Sequence, residues 1–219
     1  MRNTQLLPCV LLAAVTGSLL SCSKSPVEYR LTAQQLAWQG YHVGEELRFG
    51  RAQDATVRTY RVTDVRDVME QQYRSATLGL PGGPPETRCQ QLGVAVQRTD
   101  TTAPAFPALL LKLYYDEASG GTADLQADAE WETFYYASLP LDSVNKGAAF
   151  DTLRYPGTEL LASFTAGSST YSQVLHLTNR FPLGTPVNGQ RPVREIYYAR
   201  GKGVVAFQAD GSGLWYRLP

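Results

Sequence analysis

Ile196-Tyr197-Tyr198-Ala199-Arg200-Gly201-Lys202-Gly203-Val204-Val205-Ala206-Phe207 carries the fold class of this chain. Two runs of β-branched and aromatic residues flank a tetrapeptide whose glycines tolerate positive φ, the pattern of a β-hairpin. Asp210-Gly211-Ser212-Gly213 then turns the chain back into Leu214-Trp215-Tyr216-Arg217. Three strands joined by tight turns make a meander.

The same texture extends toward the N-terminus. Val57-Arg58-Thr59-Tyr60-Arg61-Val62-Thr63-Asp64-Val65 is rich in β-branched and aromatic residues with partial alternation. Further strands are expected at Glu45–Arg51, Gly93–Thr99, Ala108–Asp116, Glu130–Ala137, Glu159–Thr165 and Tyr171–Asn179. Val193–Ala199, Val204–Ala209 and Leu214–Leu218 cover the C-terminal meander. Thr32-Ala33-Gln34-Gln35 has the T-x-x-Q spacing of a capping box and predicts one brief helical turn. No window of a dozen residues shows a 3.6-residue period. The expectation is an all-β fold: a single curved antiparallel sheet, or an open or half barrel built as a meander, with at most one or two short helices. Pro81-Gly82-Gly83-Pro84-Pro85 and the stretch from Pro182 to Pro192 read as long loops inside one domain, residues 29–219.

Residues 1–21 read as a signal segment. Arg2 gives a positive start, and Leu6 to Leu20 is apolar but broken by Pro8 and Thr16-Gly17-Ser18, too short for a membrane span. Leu19-Leu20-Ser21-Cys22 follows, and it resembles the lipobox of bacterial lipoproteins. That resemblance implies cleavage before Cys22, acylation of its thiol, and a short lipidated tether over residues 22–28. Ser23 rather than Asp after Cys22 implies the outer membrane, with the side the domain faces left open. Cleavage also removes Cys9, so Cys89 has no partner for an intramolecular disulfide in the lipidated form. A buried or idle thiol is the expectation for Cys89.

Composition narrows the function classes. The 219 residues carry 20 basic and 20 acidic side chains, a balance that lacks the basic footprint of a nucleic-acid binder. With 18% charged and 43% hydrophobic residues the chain is globular. His42 and His176 do not by themselves make a metal site, and no G-x-S-x-G elbow presents a serine to either. Glu130 and Glu132, read on one strand face, approach glycosidase spacing, but acids flanking a strand are usually solvated. Asp124 and Asp128 lack the remaining ligands of a calcium loop, and Gly201-Lys202-Gly203 lacks a following helix to hold phosphate. No enzyme activity, cofactor or metal is expected. Thirteen tyrosines, seven phenylalanines and three tryptophans concentrate in the strands. Adjacent aromatics point to opposite faces, so one ring of each pair packs inside while the other either packs on cross-strand aromatics or lines a ligand surface. Tyr136, Tyr198 and Trp215 are the ligand-binding candidates.

The tyrosine-rich strand at Ile196, the Gly201-Lys202-Gly203 turn and the apolar strand after it, with Leu214-Trp215-Tyr216-Arg217, resemble the C-terminal end of uncharacterised bacterial lipoproteins. A more distant similarity is to the half-barrels of Lol-type lipoprotein carriers, which hold acyl chains in a concave sheet. No catalytic residue comes with either resemblance. The expected protein is a cell-envelope lipoprotein, tethered to the membrane through its acyl chains, that binds a lipid, glycan or peptide without chemistry. The alternative is a structural or accessory subunit that docks onto an envelope protein complex through a sheet edge or an aromatic patch.

Overall fold

Strand-forming stretches dominate the computed structural model, which describes residues 25–72, 87–100, 109–117, 123–132, 134–136, 139–147, 155–178 and 192–219. The chain divides into two compact units: Met1–Glu28 with Gln71–Arg88, and Tyr29–Glu70 with Cys89–Pro219. The elements in chain order are β1 (Val27–Tyr29), α1 (Ala33–Leu36), β2 (Glu46–Arg51), β3 (Val57–Gln72), β4 (Thr87–Arg98), β5 (Leu109–Glu117) and β6 (Ala123–Trp131). They continue with β7 (Phe134–Tyr136), α2 (Leu141–Asn145), β8 (Thr158–Ala166), β9 (Ser169–Thr178), β10 (Val193–Ala199), β11 (Gly203–Ala209) and β12 (Leu214–Arg217).

One sheet runs in the order β7-β6-β5-β4-β3-β2-β12-β11-β10-β9-β8. It consists of two meanders, and the antiparallel pairing of β12 with β2, Trp215 opposite Arg51 and Tyr216 opposite Gly50, joins them. The expected C-terminal meander is present: Ile196 pairs with Phe207, and Phe207 with Trp215.

The second unit's sheet curls on itself. Trp131 on β6 and Phe207 on β11 stand six strands apart in the sheet order. At ~4.8 Å per strand a flat sheet would separate them by about 29 Å. Their ring centroids are 5.4 Å apart. Phe49 closes the same cluster, 5.3 Å from both Trp131 and Phe207, and Tyr60 lies 4.9 Å from Trp131. All four side chains are fully buried. Large rings from both meanders thus fill the inside of the curl, as side chains fill small barrels. Closure is a consequence of the aromatic content: offset and edge-on ring pairs contribute about 1 kcal/mol each beyond their buried area.

The segment before β2 locks onto the C-terminal hairpin. Thr32 and Gln35 form the expected capping box: the Gln35 amide donates to the Thr32 hydroxyl at 3.2 Å, and the Thr32 amide donates to Gln35 Oε1 at 2.7 Å. Gln35 Nε2 then donates to Asp142 and Trp38 Nε1 to Asn145 Oδ1, tying α1 to α2. Trp38 stacks on Tyr198, whose hydroxyl donates to the Trp38 carbonyl at 2.8 Å. Tyr41 reaches the hairpin itself, its hydroxyl accepting from the Val204 amide at 2.6 Å. Gly203 makes this approach feasible. Its φ is +74°, and a Cβ there would fall 1.9 Å from the Tyr41 hydroxyl.

A second apolar layer lies on the opposite face of β9–β11. Val174, Ala199 and Val205 are fully buried there, with Leu161, Phe164, Tyr171 and Tyr197 packed on them. The β8–β9 hairpin supplies this cover. Gln173 sits at φ +51° within β9, so the strand bends, and the hairpin's turn at Gly167 lies against the Tyr216 ring of β12. Residues 203–207 of β11 are consequently buried on both faces.

The structure departs from the sequence reading at several points. The single strand expected at Glu130–Ala137 is broken: β6 ends at Trp131, Glu132 turns at φ +51°, and β7 begins at Phe134. Glu130 and Glu132 therefore do not share a strand face. Most of β6 was not expected as strand, because Asp124, Asp128 and Glu130 interrupt its apolar pattern, yet it pairs with β5 along its whole length. Val27–Tyr29 at the end of the expected tether is a short strand, and Leu141–Asn145 is a helix with no sequence signal comparable to Thr32–Gln35. Cys89 is fully buried.

Candidate functional site

Cys22 lies outside the described residues, and Tyr136 is placed on β7 with its side chain outside them. Tyr198 and Trp215 are described, and both face the core. Tyr198 is fully buried against Trp38, while Trp215 is 2% exposed and stacks on Phe207 at 5.9 Å. The alternation of faces holds, but its parity is the reverse of the expectation. Tyr197 is the outward ring of its pair, and Tyr216 that of the other. Leu175 and Leu177 lie inside, and they pair with Tyr198 and Ile196, which fixes Tyr197 on the far face.

Tyr197 belongs to a column of rings on that outer face. Phe164 stacks on it at 4.1 Å and 11°, and His176 on its other side at 4.5 Å and 4°. Carboxylates flank the imidazole: Nε2 is 3.0 Å from Glu195 and Nδ1 is 3.6 Å from Glu159. The Tyr197 hydroxyl donates to the same Glu195 oxygen at 3.1 Å. Burial, with the Glu195 charge, pushes the Tyr197 phenol up to about 12, so it remains a donor at neutral pH. Register explains the assembly, since Glu159, His176 and Tyr197 lie directly opposite one another on β8, β9 and β10. Several other acids have an arginine: Glu45 with Arg217, Asp100 with Arg98, Glu132 with Arg58, and Asp210 with Arg194. Among the described residues Glu159 has the imidazole and Glu195 the imidazole and the Tyr197 hydroxyl, with no arginine or lysine at either, and Glu159 is 67% exposed.

Among the described residues no serine or cysteine hydrogen-bonds to His176. No three His, Cys, Asp or Glu side chains among the described residues are grouped as a metal site. His42 is 88% exposed on its side chain and stands apart, near Glu45.

A second ionic cluster was not visible in the sequence. Glu132 Oε1 accepts from the Tyr60 hydroxyl at 2.6 Å, its Oε2 accepts from Arg58 at 3.0 Å, and Arg98 stands 3.7 Å away. Arg98 also holds Asp100 at 2.6 Å, and Arg58 lies over the Trp215 ring at 4.2 Å. Burial, aided by the Glu132 charge, drives the Tyr60 phenol well above its ordinary value. Two arginines and two carboxylates balance, so the cluster clamps β6 to β3 rather than receiving a ligand.

Among the described residues two open surfaces stand out. A shallow groove of about 320 Å³ lies on β3 and β4 between Asp64, Arg66, Glu70 and Gln91, where Gly93 leaves space. The other is the outer side of β8. The sheet order ends at this strand, and Glu159 to Ala166 have no strand partner there among the described residues. Glu159, Leu160, Ala162, Ser163 and Thr165 are exposed. The strand contains neither Pro nor Lys, residues that commonly protect an edge.

No family model matches the chain, and neither a curated protein nor a solved structure matches it significantly. Among the described residues no helix is long and apolar enough to cross a membrane.

Proposed function

We propose that the chain is a lipid-anchored protein of the outer membrane that binds an extended polypeptide segment by strand addition to β8, without enzymatic chemistry. The carrying observation is the outer side of Glu159 to Ala166, which has no strand partner among the described residues. A strand edge offers a row of amide donors and carbonyl acceptors that a second extended chain satisfies, and flanking pockets select its alternate side chains. Support for the anchor is the Leu19-Leu20-Ser21-Cys22 lipobox, with acylation at Cys22. Of the ligand classes expected from sequence, the peptide fits best: the inside of the curl is filled by Phe49, Tyr60, Trp131 and Phe207, which argues against an acyl chain held there. A strand from a neighbouring envelope subunit would use the same edge, which makes the accessory-subunit reading a variant of this one.

The test is amide hydrogen exchange on the full chain with an alternating Val–Thr decapeptide as the probe. Slowed exchange confined to β8, abolished by Ala162→Pro or by N-methylating the peptide, is the expected result. Unchanged β8 amides at millimolar peptide, or protection centred on the β3–β4 groove, would overturn strand addition.

A further inference from the structure

Resting on that reading, we infer that the strand arriving on β8 carries an arginine, seated on the free face of His176 between Glu159 and Glu195. The column Phe164–Tyr197–His176 ends at the imidazole. One face of His176 lies against Tyr197, Nε2 is 3.0 Å from Glu195, and Nδ1 is 3.6 Å from Glu159. The side chain is 20% exposed, and no ring among the described residues stacks on its second face. A planar cation fits that place in two ways at once. It stacks on the imidazole as the next member of the column, and its N–H groups reach carboxylates that no arginine or lysine among the described residues neutralises.

Position on the sheet supports the same occupant. Glu159 is on the edge strand, and His176 and Tyr197 lie opposite it on the next two strands. A residue of the added strand opposite Glu159 would begin the same row, ~5 Å from Glu159. A long side chain from there runs inward across the outer face toward His176. Arginine suits the site better than lysine because the guanidinium is flat, stacks, and presents several donors in a fixed fork. Both carboxylates and the open ring face would then be engaged by one side chain.

The measurement is the affinity of the full chain for four Val–Thr decapeptides that differ only at the residue placed opposite Glu159: Arg, Lys, Gln or Glu. The Arg peptide is expected to bind about three- to tenfold tighter than the Gln peptide, a range set by two partly exposed ion pairs. Lys falls between them and Glu is weakest. Glu195→Gln and Glu159→Gln should each shrink the ratio of Arg-peptide to Gln-peptide affinity, and the far-ultraviolet dichroism of each variant shows that it folds. Equal affinity of Arg and Gln peptides would overturn the inference and leave strand addition standing. Equal affinity of Arg and Lys would overturn the stacked geometry, and binding by none of the four would overturn strand addition itself.

Discussion

The Glu132 carboxylate accepts a 2.6 Å hydrogen bond from the phenol of Tyr60, although β6 and β3 stand three strands apart in the sheet. Only the curl of the sheet makes this contact, and Glu132 reaches it by adopting φ +51°. Side chain and backbone therefore oppose each other at one residue. The left-handed conformation costs about 1–2 kcal/mol for any residue with a Cβ, and the ionic hydrogen bonds offset it.

The opposition can be measured. Glu132→Ala is expected to destabilise by about 3 kcal/mol, because Arg58 and Arg98 lose the carboxylate between them. Glu132→Gly should cost about 1 kcal/mol less, since glycine adopts positive φ without strain. Tyr60→Phe removes one donor and should cost about 1–3 kcal/mol. Urea unfolding of the three variants checks the order, and a glycine variant no more stable than the alanine one would refute the strain.

Gly203 should be among the least replaceable residues of the hairpin. Alanine there meets both a φ of +74° and the Tyr41 hydroxyl, and a loss of more than about 3 kcal/mol is expected. Tyr41→Phe instead leaves the buried Val204 amide without its acceptor, for about 1–3 kcal/mol. Thermal melts of both variants decide it. Gly203→Ala melting near wild type would mean that the Tyr41 ring moves aside easily.

How much of this was legible in the sequence depended on range. Thr32 and Gln35 are three residues apart, and their capping box formed as the spacing implies. The C-terminal turns were legible for the same reason, since Gly201 and Gly203 mark the φ they adopt. Tyr197-Tyr198 showed that one ring must face outward, but the parity depends on Leu175 and Leu177 of a neighbouring strand. Glu132 looked like a strand residue because its partners Arg58 and Tyr60 lie more than seventy positions away. The open side of β8 has no local signature at all, because an edge is defined by strand order.

Three buried phenols among the described residues are expected to limit stability at alkaline pH. Burial raises Tyr41, Tyr60 and Tyr198, all above the ordinary value near 10. The folded state thus keeps protons that the unfolded chain releases. The stabilisation is complete below about pH 10 and is lost as pH rises toward the folded values. Tyrosinate absorbance should rise in two stages, exposed phenols first and the buried ones together with loss of the far-ultraviolet dichroism. Tyr198→Phe should reduce the second stage. A single smooth titration with the dichroism intact would contradict the burial.

On the acid side Asp100 is the informative group. Burial alone would raise its carboxyl, but the hydrogen bond and charge of Arg98 outweigh it and hold the group below the usual carboxylate range. Its contribution is present above the unfolded value near 3.9 and drains away as pH falls through the folded one. Asp100→Asn should be less stable than wild type at pH 7, with the gap narrowing below about pH 4. Denaturant midpoints at pH 7, 5 and 3 test this, and a gap independent of pH would assign the loss to something other than charge.

Gly167 links the outer layer to the rest of the sheet. Its turn sits so close to β12 that an added Cβ would lie 2.5 Å from the Tyr216 ring, at a φ of +60°. Gly167→Ala is therefore expected to push the tip of the β8–β9 hairpin off Tyr216, about the bend at Gln173. The inner core, with Phe49, Trp131 and Phe207, belongs to the other apolar cluster and should keep its protection. Hydrogen exchange should then speed up in residues 163–172 and in the β11 amides beneath them, while β2 and β3 stay slow. Removing the phenol ring with Tyr216→Ala in the Gly167→Ala background should restore the slow rates in part, because the clash is gone and only the φ strain remains. If the double variant exchanges as fast as the single one, the strain at Gly167 alone holds the hairpin open and the Tyr216 contact is incidental.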